Sequence, residues 1–145
     1  MIINKEIRQF IILDEDNIKN ALSKIEINEH GMIVCVNNSN IFKGVLTDGD
    51  IRRWLLTQRK LNLNIPVNNI MNIKALTANV KDHPDKIRNI FLENKSISFL
   101  PILDNRNRCV AIATNKSPSF QIGDKKIGVG HPCFIIAEIG NNHNG

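Results

Sequence analysis

Apolar and polar positions follow the same order twice along the chain. Residues 31–36 form a strand-like apolar run that ends in a polar turn, and residues 41–47 form a second run. The same order returns at residues 98–103 and 108–114, displaced by 67 positions. Two strands that flank a short polar turn predict a β-hairpin, so the sequence predicts one hairpin in each copy of a repeated unit.

An amphipathic helix is predicted ahead of each hairpin. In the first copy the apolar positions with helical spacing are Ile18, Ala21, Leu22 and Ile25. Asp14 and Asp16 are placed to cap this helix. In the second copy the stripe is Ile87, Ile90 and Phe91, with Pro84 at a position that a first helical turn tolerates. Matching the stripes at an offset of 69 predicts two extra residues between strand and helix in the second copy.

Further elements complete the predicted unit. Short extended segments, residues 10–13 and 75–78, precede the two helices. A helix capped by Asp50 follows the first hairpin, with an apolar face of Ile51, Trp54 and Leu55. The second copy lacks this helix, because Ser117 and Pro118 follow its hairpin. The predicted fold class is α+β, with two β-α-β-β-α units of which the second lacks its last helix.

A connector joins the two copies, and its apolar anchors are Ile65, Val67, Ile70 and Met71. We expect it to pack across the other unit. The total of 145 residues allows one compact core and a short tail. The net charge of +5 is spread in pairs without a long basic run or aromatic platforms, so no nucleic-acid partner is expected. No apolar run reaches membrane-spanning length, and the three cysteines are expected to be reduced, so the expected location is the cytoplasm.

The turn at residues 47–50 carries the candidate chemistry. Thr47, Asp48, Gly49 and Asp50 close a strand and open a helix, which places a hydroxyl, backbone N–H groups and a carboxylate around one helix N-terminus. A phosphate suits the hydroxyl and the N–H groups, and a ribose diol suits the carboxylate of Asp50. The alternative is structural: Asp50 only caps the helix and Gly49 only permits the turn.

The repeated unit, with Gly-Val-Leu-Thr-Asp-Gly-Asp-Ile-Arg-Arg at residues 44–53, resembles a CBS domain pair, or Bateman module, over roughly residues 7–117. The resemblance implies a first CBS domain at 7–57, a connector at 58–72 and a second, degenerate domain at 73–117. It also implies an adenine nucleotide in the cleft between the copies, with Thr47 toward the phosphate and Asp50 toward the ribose. The second copy has Ser117 where Asp50 would repeat, so at most one strong site is expected.

The tail at residues 118–145 has a different character. Residues 120–128 alternate apolar and polar positions around Gly-Asp-Lys-Lys, which predicts a small hairpin, and residues 133–139 predict a strand that fits the inside of a larger sheet. The run Gly-His-Pro-Cys-Phe-Ile-Ile-Ala-Glu-Ile-Gly-Asn-Asn-His-Asn-Gly closely resembles the N-terminus of the sialic acid (N-acylneuraminate) synthase family. That resemblance implies the first strand of an incomplete TIM barrel.

The synthase resemblance implies a phosphoenolpyruvate-dependent enzyme that uses a divalent metal. Glu138 and His143 would belong to its active site, whose other residues and metal ligands would lie on later strands. We therefore expect no catalysis and no metal site in this chain, which would be a truncated piece of the synthase.

Two functions remain open at this point. The first is a regulatory nucleotide-binding module attached to the synthase. The second is a dimerising module without a ligand, in which Trp54, Leu55, Ile90 and Phe91 form a symmetric homodimer interface.

Overall fold

The structure, a computed structural model, describes residues 1–115, 120–122 and 125–127. The chain divides into two compact units, Met1–Asn115 and Lys116–Gly145. No helix in the described part of the chain is long and apolar enough to cross a membrane.

Two short strands are described in the second unit. Phe120–Ile122 and Lys125–Ile127 pair antiparallel, as the predicted hairpin requires. The predicted barrel strand at residues 133–139 lies outside the described residues, as do Glu138 and His143.

Seven strands and three α-helices make up the first unit. In chain order they are β1 (Ile2–Asn4), β2 (Ile11–Leu13), α1 (Ile18–Asn28), β3 (Met32–Val36), β4 (Phe42–Thr47), α2 (Asp48–Thr57), β5 (Ala78–Asn79), α3 (Pro84–Glu93), β6 (Phe99–Leu103) and β7 (Cys109–Thr114). The order β-α-β-β therefore occurs twice, and α2 follows its first occurrence. We call residues 7–57 the first repeat and residues 73–117 the second repeat. The end of the second repeat, including Ser117, lies outside the described residues.

Each repeat has a sheet in which one parallel strand joins an antiparallel hairpin. In the first repeat β2 pairs parallel with β3, and β3 pairs antiparallel with β4. In the second repeat β5 pairs parallel with β6, and β6 pairs antiparallel with β7. The predicted extended segments were partly right. The strand β2 covers most of residues 10–13, but only Ala78 of residues 75–78 belongs to β5.

The two hairpins match at the predicted offset of 67. Both ladders shift register after the fourth residue of the first strand. Both turns contain an asparagine in the left-handed region, Asn40 at φ 61° and Asn107 at φ 62°. Asn37 Oδ1 accepts two backbone N–H groups in the first turn, and Asp104 Oδ1 accepts two in the second. The duplication thus extends to single hydrogen bonds.

The helices align at an offset of 66, which corrects the predicted 69. Ala21 and Ile25 are buried in α1, and Ile87 and Phe91 are buried at the matching positions of α3. An apolar stripe repeats after three or four residues, so a shift of three residues barely changes the pattern. The second repeat therefore carries one extra residue between helix and hairpin. Phe91 is 2% exposed, so its predicted place in a dimer interface is wrong.

The predicted caps of α1 are also wrong. Asn17 is the N-cap, and its side chain accepts the backbone N–H of Asn20 at 2.8 Å. Asp16 instead steadies the cap, because its Oδ1 accepts the N–H of Asn17 at 2.8 Å. The backbone N–H of Asp14 donates to Val36 O, at the end of β3, at 2.8 Å. In the second repeat Pro84 occupies the first turn of α3, as predicted.

The segment ahead of each repeat pairs with the hairpin of the other repeat. The strand β1 joins the second repeat, where Ile3 lies opposite Ala113 of β7. The end of the connector joins the first repeat, where Asn72 donates to Val45 O at 2.7 Å and accepts from Val45 N at 3.1 Å. No pattern in the sequence indicates this exchange, because segments of one to three residues are too short to carry a strand signal.

The connector packs on the repeat that it leaves. Val67 is fully buried in the core of the first repeat, and Ile65, Ile70 and Met71 pack partly buried against the same core. A further core lies between the repeats and is formed by Phe10, Met32, Val34, Val36, Leu103, Cys109 and Ile112. Alternate residues of β3 thus face different cores. Burial raises the pKa of the Cys35 thiol to about 12 and that of Cys109 to about 11, so both are neutral core residues.

The first prediction concerns Gly44, where the connector passes close to β4. A Cβ at Gly44 would lie 2.7 Å from the backbone oxygen of Asn72. Gly44→Ala should lower the free energy of unfolding by about 1–3 kcal/mol, because the strand and the connector must separate. Urea denaturation would measure this change.

Gly49→Ala is the matched control. A Cβ there meets only the flexible Arg53 side chain, at 3.3 Å, and the Thr47 hydroxyl at 3.6 Å. Its stability should stay within about 1 kcal/mol of the wild type. Equal stability of the two variants would contradict the close approach at Gly44.

The second prediction concerns the turn of the second hairpin. Hydrogen bonds from Arg108 hold the pKa of Asp104 below the ordinary 3.8. The bond from the backbone N–H has the larger effect, and the bond from the side chain comes next. A lowered pKa means that Asp104 stabilises the fold above pH 3.8 and that this contribution is lost as pH falls through the folded pKa. Asp104→Asn should lower the urea midpoint at pH 7, and the gap to the wild type should be smaller at about pH 3, where Asp104 begins to protonate.

Glu15→Gln removes an exposed carboxylate and serves as the control. It should leave the midpoint near that of the wild type at both pH values. If the difference in urea midpoint between Asp104→Asn and the wild type is the same in acid as at pH 7, the charge of Asp104 does not contribute to stability.

Candidate functional site

A cleft of about 580 Å³ lies between the two repeats. Its walls come from three places in the chain: the first repeat, the segment just after the connector, and the start of the second hairpin. The lining residues are His30, Gly31, Val45, Thr47, Asp50, Arg53, Asn72, Lys74, Ala75, Leu76, Ser96, Ile97, Ser98 and Phe99. Its volume is within the range of small-molecule and cofactor sites.

The N-terminus of α2 forms one end of the cleft. Thr47 is the N-cap, and its Oγ1 accepts the backbone N–H of Asp50 at 3.1 Å. Asp50 reaches back, and its Oδ2 accepts the backbone N–H of Thr47 at 2.9 Å and the Thr47 hydroxyl at 2.7 Å. This is a capping box, and it corrects the predicted N-cap: Thr47 is the N-cap, and Asp50 is the third helical residue.

The cleft contains two of the four predicted site residues. Thr47 and Asp50 line it. Asp48 instead lines a separate cavity of about 280 Å³, beside Glu26 and Glu29. Gly49 lies in the first turn of α2 and is not among the residues that line the cleft.

The glycine that a turn requires here is Gly31. Its φ is +66°, and a Cβ would approach Asp48 Oδ2 to 2.9 Å. The predicted turn role of Gly49 is therefore wrong, because helical backbone accepts any residue at that position. Gly31 precedes β3, and its carbonyl accepts the backbone N–H of Asp48 at 3.1 Å. This bond ties the start of α2 to the start of β3.

The lining of the cleft carries more positive than negative charge. Arg53 and Lys74 both line it, against the single carboxylate of Asp50. Arg53 Nη2 lies 2.6 Å from Asp50 Oδ1, with the Arg53 side chain 72% exposed and that of Asp50 18% exposed. Two cations beside exposed polar groups suit an anionic ligand.

Apolar residues also line the cleft, and we call them the apolar wall. It consists of Val45, Ala75, Leu76, Ile97 and Phe99. A planar apolar or aromatic group can lie against such a surface without leaving polar groups unpaired.

Sequence reasoning missed Lys74, Leu76 and the second-repeat residues of this wall. Lys74 and Leu76 lie in an irregular segment with no periodic signal, and they reach the cleft because Asn72 pairs with β4. A signal did exist for Arg53, since a position three residues after Asp50 lies on the same face of a helix.

The counterpart of this site in the second repeat is only partly described. Thr114 matches Thr47 and is 9% exposed, while Ser117 lies outside the described residues. Within the part of the chain that the structure describes, no group of three or more His, Cys, Asp or Glu side chains is arranged to hold a metal.

Comparison with known proteins gives matches over the same region. The CBS domain family matches residues 3–57. Arabinose 5-phosphate isomerase GutQ of Escherichia coli O6:H1 is 26% identical over 107 residues, which cover 74% of this chain and 32% of the isomerase. The chain thus spans about a third of the length of the curated relatives that it matches.

Solved structures share the fold. A CBS domain pair/ACT domain protein from Thermotoga maritima superposes with a TM-score of 0.60 at 16% identity, covering 72% of this chain and 80% of that chain. CBSX2, solved in complex with AMP, superposes with a TM-score of 0.64 at 15% identity, covering 78% of this chain and 86% of that chain. Residues 3–57 therefore match the CBS domain family, and the compact unit around them has the fold of CBS domain pairs.

Proposed function

We propose that the protein is a regulatory module that binds an adenine nucleotide in the cleft between its repeats. The observation that carries the proposal is a nucleotide-sized cleft that is lined by a capping box, two cations and an apolar wall. CBS domain modules are commonly regulatory and nucleotide-binding, and the similar CBSX2 binds AMP. The fold and the chemistry of the cleft support the same ligand class.

In the proposed arrangement the adenine lies against the apolar wall and the ribose lies at Asp50. The phosphates meet Arg53, Lys74 and the N-terminus of α2, where the helix dipole also favours an anion. The Thr47 hydroxyl donates its proton to Asp50 Oδ2 and accepts from Asp50 N, so its one remaining acceptor position suits a donor such as a ribose hydroxyl, not a phosphate oxygen. Ligand binding therefore uses groups that already stabilise the helix.

We propose one strong site. The matching position in the second repeat is Ser117, which lacks the charge and the second acceptor oxygen of a carboxylate. A charge-assisted hydrogen bond contributes about 1.5–3 kcal/mol, roughly twice a neutral one, so a site built on serine would bind far more weakly.

Asp50→Asn should test this proposal, since it keeps the size and one acceptor oxygen of the side chain but removes the charge. We expect wild type to bind AMP, ADP or ATP, and Asp50→Asn to bind about tenfold or more weakly because a charge-assisted hydrogen bond is lost. Asp48→Asn is the charge-matched control, because Asp48 opens the same helix but lies outside the cleft. It should retain the wild-type affinity within about twofold. Isothermal titration calorimetry measures all three.

No binding by wild type at millimolar ligand, or equal binding by the two variants, would contradict the proposal.

Absence of binding by wild type would favour the second candidate function, a homodimerising module. The observation behind that candidate is the exposed apolar surface of α2, where Leu55 is 39% and Leu56 84% exposed. Trp54 and Ile90 are only partly exposed, and Phe91 is buried. Light scattering on the same samples would then have to show a dimer.

We further propose that this module works within a longer protein whose catalytic part is an N-acylneuraminate synthase. The support is the resemblance of residues 120–145 to the start of that family. In this proposal Glu138 and His143 contribute to the barrel site, and the divalent metal and phosphoenolpyruvate bind there. The module would pass a nucleotide-dependent change to the barrel through residues 117–126.

The longer protein provides the test. Supplied with phosphoenolpyruvate, an N-acyl-hexosamine and a divalent metal, it should form the condensation product, and added adenine nucleotide should change the rate. Deletion of residues 1–118 should abolish the nucleotide response and leave condensation. A rate indifferent to nucleotide with and without these residues would refute the coupling, and absence of condensation would refute the synthase assignment.

A further inference from the structure

The ion pair between Asp50 and Arg53 occupies the group that a ribose would need. Asp50 Oδ2 already accepts two hydrogen bonds from Thr47, and Oδ1 accepts one from Arg53 Nη2. A carboxylate offers about four acceptor positions, so about one remains open. A vicinal diol donates from two hydroxyl groups and needs two positions. Asp50 cannot bind both hydroxyl groups of a diol in this state.

One of the three hydrogen bonds that Asp50 accepts has to break before a diol can bind through both hydroxyl groups. The three bonds differ in how much their loss would destabilise the fold. The two bonds from Thr47 belong to the capping box, and breaking them uncaps α2. The bond from Arg53 belongs to a single ion pair, and the arginine side chain is 72% exposed. Exposed ion pairs of this kind contribute little to stability. Arg53 is therefore the partner that leaves.

The released Arg53 guanidinium remains in the lining of the cleft. Arg53 lines the cleft together with Thr47 and Lys74. Because it is anchored on α2 only three residues from Asp50, its long side chain can turn from the carboxylate to an anion at the helix N-terminus. Two charged groups would then exchange partners: Asp50 gains the diol and Arg53 gains a phosphate.

We propose that Arg53 is an exchangeable counter-ion that makes the cleft selective for ligands with both a ribose diol and a phosphate. This inference rests on the proposed nucleotide function and extends it to specificity. A nucleoside displaces Arg53 without offering it an anion, whereas a ribonucleotide satisfies both members of the pair. Arg53 thus lowers the affinity for nucleosides and raises the affinity for nucleotides.

Calorimetric titration of adenosine and ATP against wild type, Arg53→Gln and Arg52→Gln tests the proposal. Arg53→Gln should bind ATP about fivefold more weakly, the scale of a partly exposed charge contact. It should bind adenosine as tightly as wild type or more tightly, because Asp50 no longer has to give up an ion pair. Arg52→Gln removes the same charge from an exposed position outside the cleft, and it should change both affinities by less than about twofold. Arg53→Lys, which keeps the charge, should recover part of the ATP affinity.

Two results would overturn the proposal. If Arg53→Gln weakens adenosine as much as ATP, Arg53 only positions Asp50. If Arg53→Gln and Arg52→Gln behave alike, only the overall charge matters. Both results require that wild type binds ATP, so they leave the proposed function standing. Failure of wild type to bind any adenine compound would instead remove the proposed function and this inference together.

Discussion

The backbone pairing between Asn72 and Val45 is the constraint on which the cleft depends. Two hydrogen bonds, of 2.7 and 3.1 Å, fix the end of the connector to β4. The chain then continues as the wall that carries Lys74 and Leu76. Without this pairing, the third wall of the cleft would be an irregular segment with no fixed position. The absence of a side chain at Gly44 is what lets the two backbones approach.

A second pairing of this kind joins β1, which lies ahead of the first repeat, to β7 of the second repeat. Each repeat completes its sheet with residues that precede the other repeat. The repeats are therefore joined by two backbone pairings as well as by the apolar core between them, which includes Val34 and Ile112. This explains why residues 1–115 form one compact unit although the sequence contains two copies. A site between the copies can then have a defined geometry.

Much of this architecture could be predicted because it depends on local patterns. The hairpins were placed correctly, since a turn with asparagine or aspartate between two apolar runs is a strong signal. The helix offset was wrong, because a helical stripe looks the same after a shift of three residues. The N-cap of α2 was assigned to Asp50 instead of Thr47, because both residue types favour helix N-termini and only the geometry decides between them. Pairings such as that of Asn72 with Val45 connect distant residues through their backbones, and side-chain patterns do not encode them.

The position of β1 has a consequence for the order in which the chain can fold during synthesis. Ile2 pairs with Thr114, so the first strand leaves the ribosome more than a hundred residues before its partner. Contacts between distant residues form late, because closing a long loop costs entropy before the contact contributes. The first repeat can form its own sheet while β1 is still unpaired, with Ile2 and Ile3 free. The nascent chain thus carries an open apolar strand until translation has passed the end of the second hairpin.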